Sequence, residues 1–415
     1  MEIYKSVRGT TDFNPQQAVL FNAITAKARE LLRSFSYEEI ILPLLEEEGL
    51  FVRSAGATSD IAEKQLFRIA DKDGICLRPE GTAQVVRYFL ENSLHRQGDF
   101  YKFSYIGPMF RGERPQKGRL RQFHHIGCEA LGGSSPHLDA ETVILAARLL
   151  SAIGLDSYEI KVNTLGCPED KEKFALGLKA KLEEKRSNLC EDCQRRLDKN
   201  PLRILDCKNR DCKNIVAGLP SIDEALCPAC NENFANVLKI LDQAGVKYQR
   251  DKNLVRGLDY YTNTVFEITS SALGSQDAVG AGGRYNRLVE NLGGPQIPAV
   301  GFALGIERLL IALGEKVSIP EFNVFVAPLN DALRNFAFSL TMKLRTAGIN
   351  CDTDYCSKSL KSQLRLAQRK GARLVLVCGE DELKENCVMV KDMEKSSQEK
   401  ISLDNIVGHI KKFTR

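Results

Sequence analysis

The chain has no apolar run near the ~18–20 residues needed to cross a bilayer, so no membrane-spanning helix is expected. The opening Met1-Glu2-Ile3-Tyr4-Lys5 lacks the basic stretch and apolar core of a secretory signal, which implies a cytoplasmic protein. A strong charge of one sign is also missing. The formal net charge is +4 over 415 residues, and residues 321–415 carry 16 Lys and Arg against 12 Asp and Glu. So mild a basic bias permits nucleic-acid binding without requiring it. The glycine run Val279-Gly280-Ala281-Gly282-Gly283 does not match the phosphate-cradling GxxxxGKS/T pattern. Thirteen Cys occur without an export signal, so disulfides are not expected, and Cys76, Cys128, Cys167 and Cys378 read as small buried apolar residues.

What is present describes a water-soluble, multi-domain chain: 43% hydrophobic and 27% charged residues, at a length suited to two or three domains. The densest feature is residues 110–129, FRGERPQKGRLRQFHHIGCE. Pro115 and Gly118 give its middle turn chemistry, and apolar residues close both ends, so the stretch predicts a strand, a polar loop and a second strand. Arg111, Arg114, Lys117, Arg119 and Arg121 make it basic. Arginines on both arms suit a polyphosphate, because the guanidinium fork pairs phosphate oxygens two at a time. A solvated charged loop is the alternative.

Elsewhere, Asn14-Pro15 predicts the cap and first residue of a helix running to about Phe35, followed by a strand from Tyr37 to Leu42. Glu80 and Thr82 fall at a strand-to-helix junction, where they either reach a ligand or cap the helix. The segment LVRGLDYYTNTVFEI (254–268) reads as a hairpin with Arg256 on its first strand. Residues 299–310 read as a strand, a glycine junction and a helix that begins near Arg308. Charge rises and strand signals vanish between about 168 and 250, which predicts a mostly helical insertion. Within it, Cys190-x-x-Cys193 and Cys227-x-x-Cys230 have the spacing of a four-thiolate Zn²⁺ site, with Cys207 and Cys212 left without a place; reduced packing cysteines are the alternative. A linker at 317–322 precedes strand–helix alternation, hence a largely parallel sheet. The fold class is α/β: an α+β core with a mixed, mainly antiparallel sheet and flanking helices, a helical insertion and a small C-terminal α/β domain. The expected boundaries are 1–168 and 251–318 for the core, 169–250 for the insertion and 322–415 for the last domain.

These motifs resemble those of class II aminoacyl-tRNA synthetases, and among them the histidine-specific family. Phe110-Arg111-Gly112-Glu113 is similar to the second class motif, and Gly301 to Leu310 (GFALGIERLL) to the third. The long first helix with the strand ending at Pro43 is similar to the first, which forms the homodimer in that family. Val255-Arg256-Gly257-Leu258-Asp259-Tyr260-Tyr261-Thr262 and Ala281-Gly282-Gly283-Arg284-Tyr285 resemble the two histidine signatures. The resemblance implies ligation of L-histidine to tRNA(His) through a histidyl-adenylate, with ATP as substrate and Mg²⁺ bridging its outer phosphates. It implies catalytic roles for Arg111 and Arg256 at the α-phosphate, and ATP contacts from Glu113, Arg119, Phe123 and Arg308. Histidine would meet Glu80, Gly81, Thr82, His125, Glu129, Tyr260 and Tyr261 as well as both catalytic arginines. The tRNA would meet Arg114, Lys117 and Arg121, with its anticodon on the C-terminal domain. The family often has Gln where this chain has His125, whose titration near neutral pH would make histidine binding pH-dependent.

Overall fold

The computed structural model describes residues 3–56, 64–70, 72–274, 277–314, 323–356 and 358–413. The chain divides into two units, Met1–Val317 and Ser318–Arg415, and the expected linker at 317–322 lies outside the described residues. Among the described residues no helix is long and apolar enough to cross a membrane.

The first unit is built on an eight-stranded sheet. Its order is Glu38–Glu39, Tyr101–Phe110, Gln122–Leu131, Ala299–Gly305, Ala278–Arg284, Thr262–Thr269, Glu159–Thr164 and Gln249–Arg250. Only the two outermost pairings are parallel; the five inner ones are antiparallel. Strand alternation sends Ile126, Cys128 and Ala130, with Val300, Phe302 and Leu304, into a core beneath helices Pro15–Ser34, Pro136–Ala152 and Pro228–Gln243. The intervening residues, among them His125, Gly127, Glu129, Gly301 and Ala303, therefore project from the opposite face. Helix Pro15–Ser34 starts where Asn14 and Pro15 predict, because the Asn14 and Gln17 side chains each accept the other's backbone N–H.

Two expected strands differ. Of the stretch from Tyr37 to Leu42, only Glu38–Glu39 is strand. Arg256 lies on irregular chain, not on a strand, and only Thr262–Thr269 joins the sheet. The carbonyls of this segment are taken by side chains instead: Asn163 Nδ2 donates to Lys252 and Leu254, and Lys171 Nζ to Asp259 and Tyr261. A backbone satisfied in this way needs no ladder partner.

Between Thr164 and Gln249 the described residues form helices, chiefly Pro168–Glu183, Glu191–Lys199, Arg210–Ala217 and Pro228–Gln243, with no strand. The second unit has a five-stranded sheet ordered Cys351–Thr353, Asn323–Pro328, Ala372–Cys378, Cys387–Asp392 and Gln398–Ser402. Its first three strands are parallel, as the alternation predicts, but the last two form an added antiparallel hairpin.

Candidate functional site

The cleft face of the large sheet is paved with small residues. Gly301 pairs with Glu129, Ala303 with Gly127 and Gly305 with His125. Above this floor lies a cleft of about 360 Å³ whose lining includes Glu80, Thr82, Tyr105, Tyr260 and Tyr261 as well as Arg111, Arg119, Phe123, Arg256 and Arg308. Hydroxyls and carboxylates thus share the cleft with guanidinium groups, and the two sets adjoin where Arg111 lies near Glu80 and Tyr260 and Arg256 near Tyr261.

Among the hydroxyls Glu129 is 1% exposed and sits just beneath the lining. It accepts from Thr82 Oγ1 at 2.7 Å and the Tyr105 hydroxyl at 3.3 Å on one oxygen, and from the Tyr285 hydroxyl at 2.5 Å on the other. Burial pushes its pKa up to about 8, against the opposing pull of these hydroxyls. An ionised carboxylate offers about four lone-pair sites, so three hydroxyl donors leave room for one more. Glu80 is also buried, and burial raises its pKa. Its two oxygens accept from the backbone N–H of Thr82 and Ala83 at 2.6 and 3.0 Å, capping helix Thr82–Glu91. Both readings of the Glu80–Thr82 junction therefore have a physical basis: Glu80 caps, and both side chains still border the cleft.

Gly81 does not line the cleft. A Cβ there would lie 2.4 Å from the Tyr105 ring, and one at Gly127 would lie 2.2 Å from it. The two glycines make a slot that fixes Tyr105, and through it one hydrogen bond to Glu129. Gly127→Ala is expected to push the ring out of this slot and, on the assignment of histidine to Glu129 that the motif resemblance implies, to weaken amino-acid binding more than nucleotide binding. Separate KM measurements for the two substrates check this; a purely nucleotide-side defect would contradict the slot.

Each of these four arginines already has a partner. Arg111 Nε donates to the Pro79 carbonyl at 2.9 Å, and its guanidinium lies 5.2 Å from the Phe123 ring centre. Arg119 Nη1 meets Glu113 at 3.2 Å. Arg256 Nη1 meets Glu267 at 2.6 Å, while its buried Nε has no hydrogen-bond partner. Arg308 donates to the Gly118 carbonyl at 2.8 Å and to that of Ala278. Burial lowers the pKa of both Arg111 and Arg308, yet guanidinium groups stay charged at neutral pH. The result is a half-buried array of positive charge held by the protein's own acceptors.

Other expected residues divide. His125 lines the cleft, but burial, together with Arg111, Arg308 and Arg78, holds its pKa well below 6.5. It is therefore neutral at physiological pH, which corrects the expectation of a group titrating near neutrality. Its buried Nδ1 has no partner. Arg114 and Lys117 are exposed on the loop between the two long strands and do not line the cleft. Arg121 is turned back, with Nε on the Glu113 carbonyl at 3.3 Å and Nη1 on the Arg8 carbonyl at 3.4 Å.

The cysteines are also arranged differently from their spacing. Cys190 and Cys193 do not meet Cys227 and Cys230. They group with Cys207 and Cys212, whereas Cys227 and Cys230 group with Cys167 and Asp170. Cys167 is half-buried and belongs to that second group, not to the scattered packing residues. Residues that the sequence reasoning did not assign to the site are Tyr105, Arg203, Asp206 and Glu267 on the lining and Tyr285 beneath it. Tyr285 carried a signal, standing two residues after the glycine run. Arg284, its neighbour in that motif, faces away from ligand chemistry: its Nε is 2.7 Å from buried Asp139, and Nη1 holds the Gly133 carbonyl.

Comparison with known proteins agrees with this geometry. A family model described as histidyl-tRNA synthetase matches residues 9–309, and one described as anticodon binding domain matches 323–413. The histidine–tRNA ligase of Halothermothrix orenii is 44% identical, with 99% of each chain covered. That of Syntrophotalea carbinolica is 42% identical over 99% of this chain and 98% of its own. The crystal structure of apo S. aureus histidyl-tRNA synthetase superposes with a TM-score of 0.81 at 33% identity, covering 99% of this chain and 100% of that one. With a buried carboxylate and an array of arginines in one cleft, and these full-length likenesses, the chain belongs to the histidyl-tRNA synthetase family.

Proposed function

We propose that the chain joins L-histidine to tRNA(His) in two steps. The histidine carboxylate attacks the α-phosphate of ATP, giving histidyl-adenylate and pyrophosphate. A hydroxyl at the tRNA 3′ end then takes the histidyl group and AMP leaves. The observation that supports this reading is the cleft itself, which brings Arg111, Arg119, Arg256 and Arg308 together with a buried, hydroxyl-bound carboxylate.

Attack on phosphorus spreads negative charge over the equatorial oxygens, and catalysis is then mainly positioning and electrostatic stabilisation. Arg111 and Arg256 supply that stabilisation at the α-phosphate. ATP enters as its Mg²⁺ complex, with Arg119 and Arg308 on the outer phosphates. The adenine stacks on Phe123 and hydrogen-bonds with Glu113. Glu80 and Thr82 take the α-ammonium of histidine, with neutral His125 beside them. Tyr260 and Tyr261, with ring centres 4.8 Å apart, wall the imidazole. Its N–H takes the remaining acceptor site of Glu129. An apolar side chain would leave that buried acceptor unpaired, so selection works without an editing step.

Arg114, Lys117 and Arg121 border the acceptor stem. In the C-terminal unit Lys358, Lys361, Arg365 and Arg369 are all exposed, which suits salt-dependent contact with the anticodon loop. The protein works in the cytoplasm as a homodimer. In support, Ile41 is 96% exposed, and Leu44 and Leu45 beside it are exposed too, a concentration of apolar surface suited to a second copy. Light scattering that returned a monomer mass would remove the dimer. ATP–pyrophosphate exchange measured with each amino acid tests the activity. Exchange is expected with histidine; its absence would defeat the reading and favour a catalytically silent relative.

A further inference from the structure

We propose that Cys190, Cys193, Cys207 and Cys212 bind one Zn²⁺ as a tetrathiolate that anchors the chain segment carrying Arg203 and Asp206 to the wall of the cleft.

The geometry is that of a metal centre. The four Sγ atoms all lie within 4.8 Å of one another, and Cys190 and Cys207 are 3.8 Å apart. A tetrahedron with Zn–S bonds of about 2.3 Å has edges of about 3.8 Å. A disulfide needs about 2.05 Å, and all four residues are free thiols. Three of the four are buried and Cys190 is half-buried. The backbone N–H of Cys190 also points at Cys212 Sγ, at 3.3 Å, a donor well placed for a metal-bound thiolate.

The local chain gives the site a purpose. Cys190 precedes and Cys193 lies in the first turn of Glu191–Lys199; Cys212 lies in the first turn of Arg210–Ala217. Helices of nine and eight residues are too short to be stable alone in water. Their apolar support is a handful of side chains, including Leu197, Leu202 and Ile204. A metal joining both helix starts to Cys207 closes this segment into a rigid loop. Arg203 and Asp206 lie inside that loop, and both line the cleft.

The other cysteine group behaves differently. Asp170 already accepts from the backbone N–H of Cys227 at 3.0 Å and of Cys167 at 3.4 Å. Cys230 Sγ accepts from Cys167 N–H and Asn263 Nδ2. What separates the groups is the donor set: this one has three thiols and a carboxylate whose two oxygens are already engaged by backbone N–H, whereas the first has four thiols, so about one zinc per chain is expected, held at the tetrathiolate.

Metal analysis of the full chain, purified with its thiols reduced, tests the proposal. About one equivalent of zinc is expected. A Cys207→Ser/Cys212→Ser variant should lose it, and a Cys227→Ser/Cys230→Ser variant should keep it. Alkylation mapped by mass spectrometry on the unaltered chain serves if a variant fails to fold. Cys190, Cys193, Cys207 and Cys212 should be protected until a chelator is added, and chelation should raise the substrate KM values several-fold. Reduced protein that neither contains nor takes up Zn²⁺ would overturn the proposal. So would zinc that follows Cys227 and Cys230, or four thiols alkylated equally with and without chelator.

Discussion

Arg256→Ala is expected to lower kcat for histidine-dependent pyrophosphate exchange by about 10²–10³-fold, the usual cost of removing one donor from a transition-state charge site. The expectation rests on its position. Arg256 lines the cleft from irregular chain, held by Glu267 at 2.6 Å, with a buried Nε left unpaired. A guanidinium so placed contributes little until charge develops in front of it, so the loss should fall on kcat more than on KM. Alanine also leaves Glu267 without its cation. Arg256→Lys separates the two effects, because lysine keeps the charge next to Glu267 but not the two-pronged geometry. It should restore the fold's stability and little of the rate. Activity of the alanine variant within threefold of the parent would sink the assignment.

Glu129→Gln should raise the histidine KM by about 10–10²-fold, the range set by hydrogen bonds to a buried charged group. It should also abolish a pH dependence. With its pKa pushed up to about 8, Glu129 is largely protonated at pH 7 in the free protein and ionises as pH rises. Only the ionised form is purely an acceptor, so the parent's histidine KM should fall between about pH 7 and 8.5 and then level off. The glutamine variant should show a flat profile. Stability moves the opposite way. A carboxyl with a raised folded pKa retains a proton that the unfolded chain has released, so stability declines as pH rises from about 4.5 to 8. Glu129→Gln removes that decline, which urea melts at several pH values would detect. A parent KM that does not change with pH would exclude Glu129 as the group recognising the imidazole.

The parts of this fold legible in the sequence are those whose signals are local. The pairing of Tyr101–Phe110 with Gln122–Leu131 follows from apolar arms around a Pro-Gly loop, and the first helix from Asn14-Pro15. Arg256 was harder to place. Its neighbours read as a strand because the residues that satisfy their carbonyls, Asn163 and Lys171, lie roughly 90 positions away in sequence. The edge strand Gln398–Ser402 escaped notice because QEKIS is polar except for Ile401 and exposed over most of its length, without apolar alternation. Cysteine spacing identified pairs correctly but could not say which pairs meet, since that depends on how the short helices fold back. Tyr105 had no signal at all. Its role depends on the missing side chains of Gly81 and Gly127, neither of them on the strand that carries Tyr105.

The partners of the cleft arginines bear on how affinity for ATP is to be understood. Arg308 holds two backbone carbonyls, Arg111 one, and Arg119 a carboxylate. With the phosphates placed on these arginines as proposed, nucleotide binding is an exchange reaction, in which phosphate oxygens compete with acceptors that the protein already provides. The gain from each arginine is the difference between two charge-assisted bonds, not the whole of one. Under the same proposal, the bond from Arg308 to the Gly118 carbonyl would link nucleotide occupancy to the order of the basic loop, each changing the other by the same free energy.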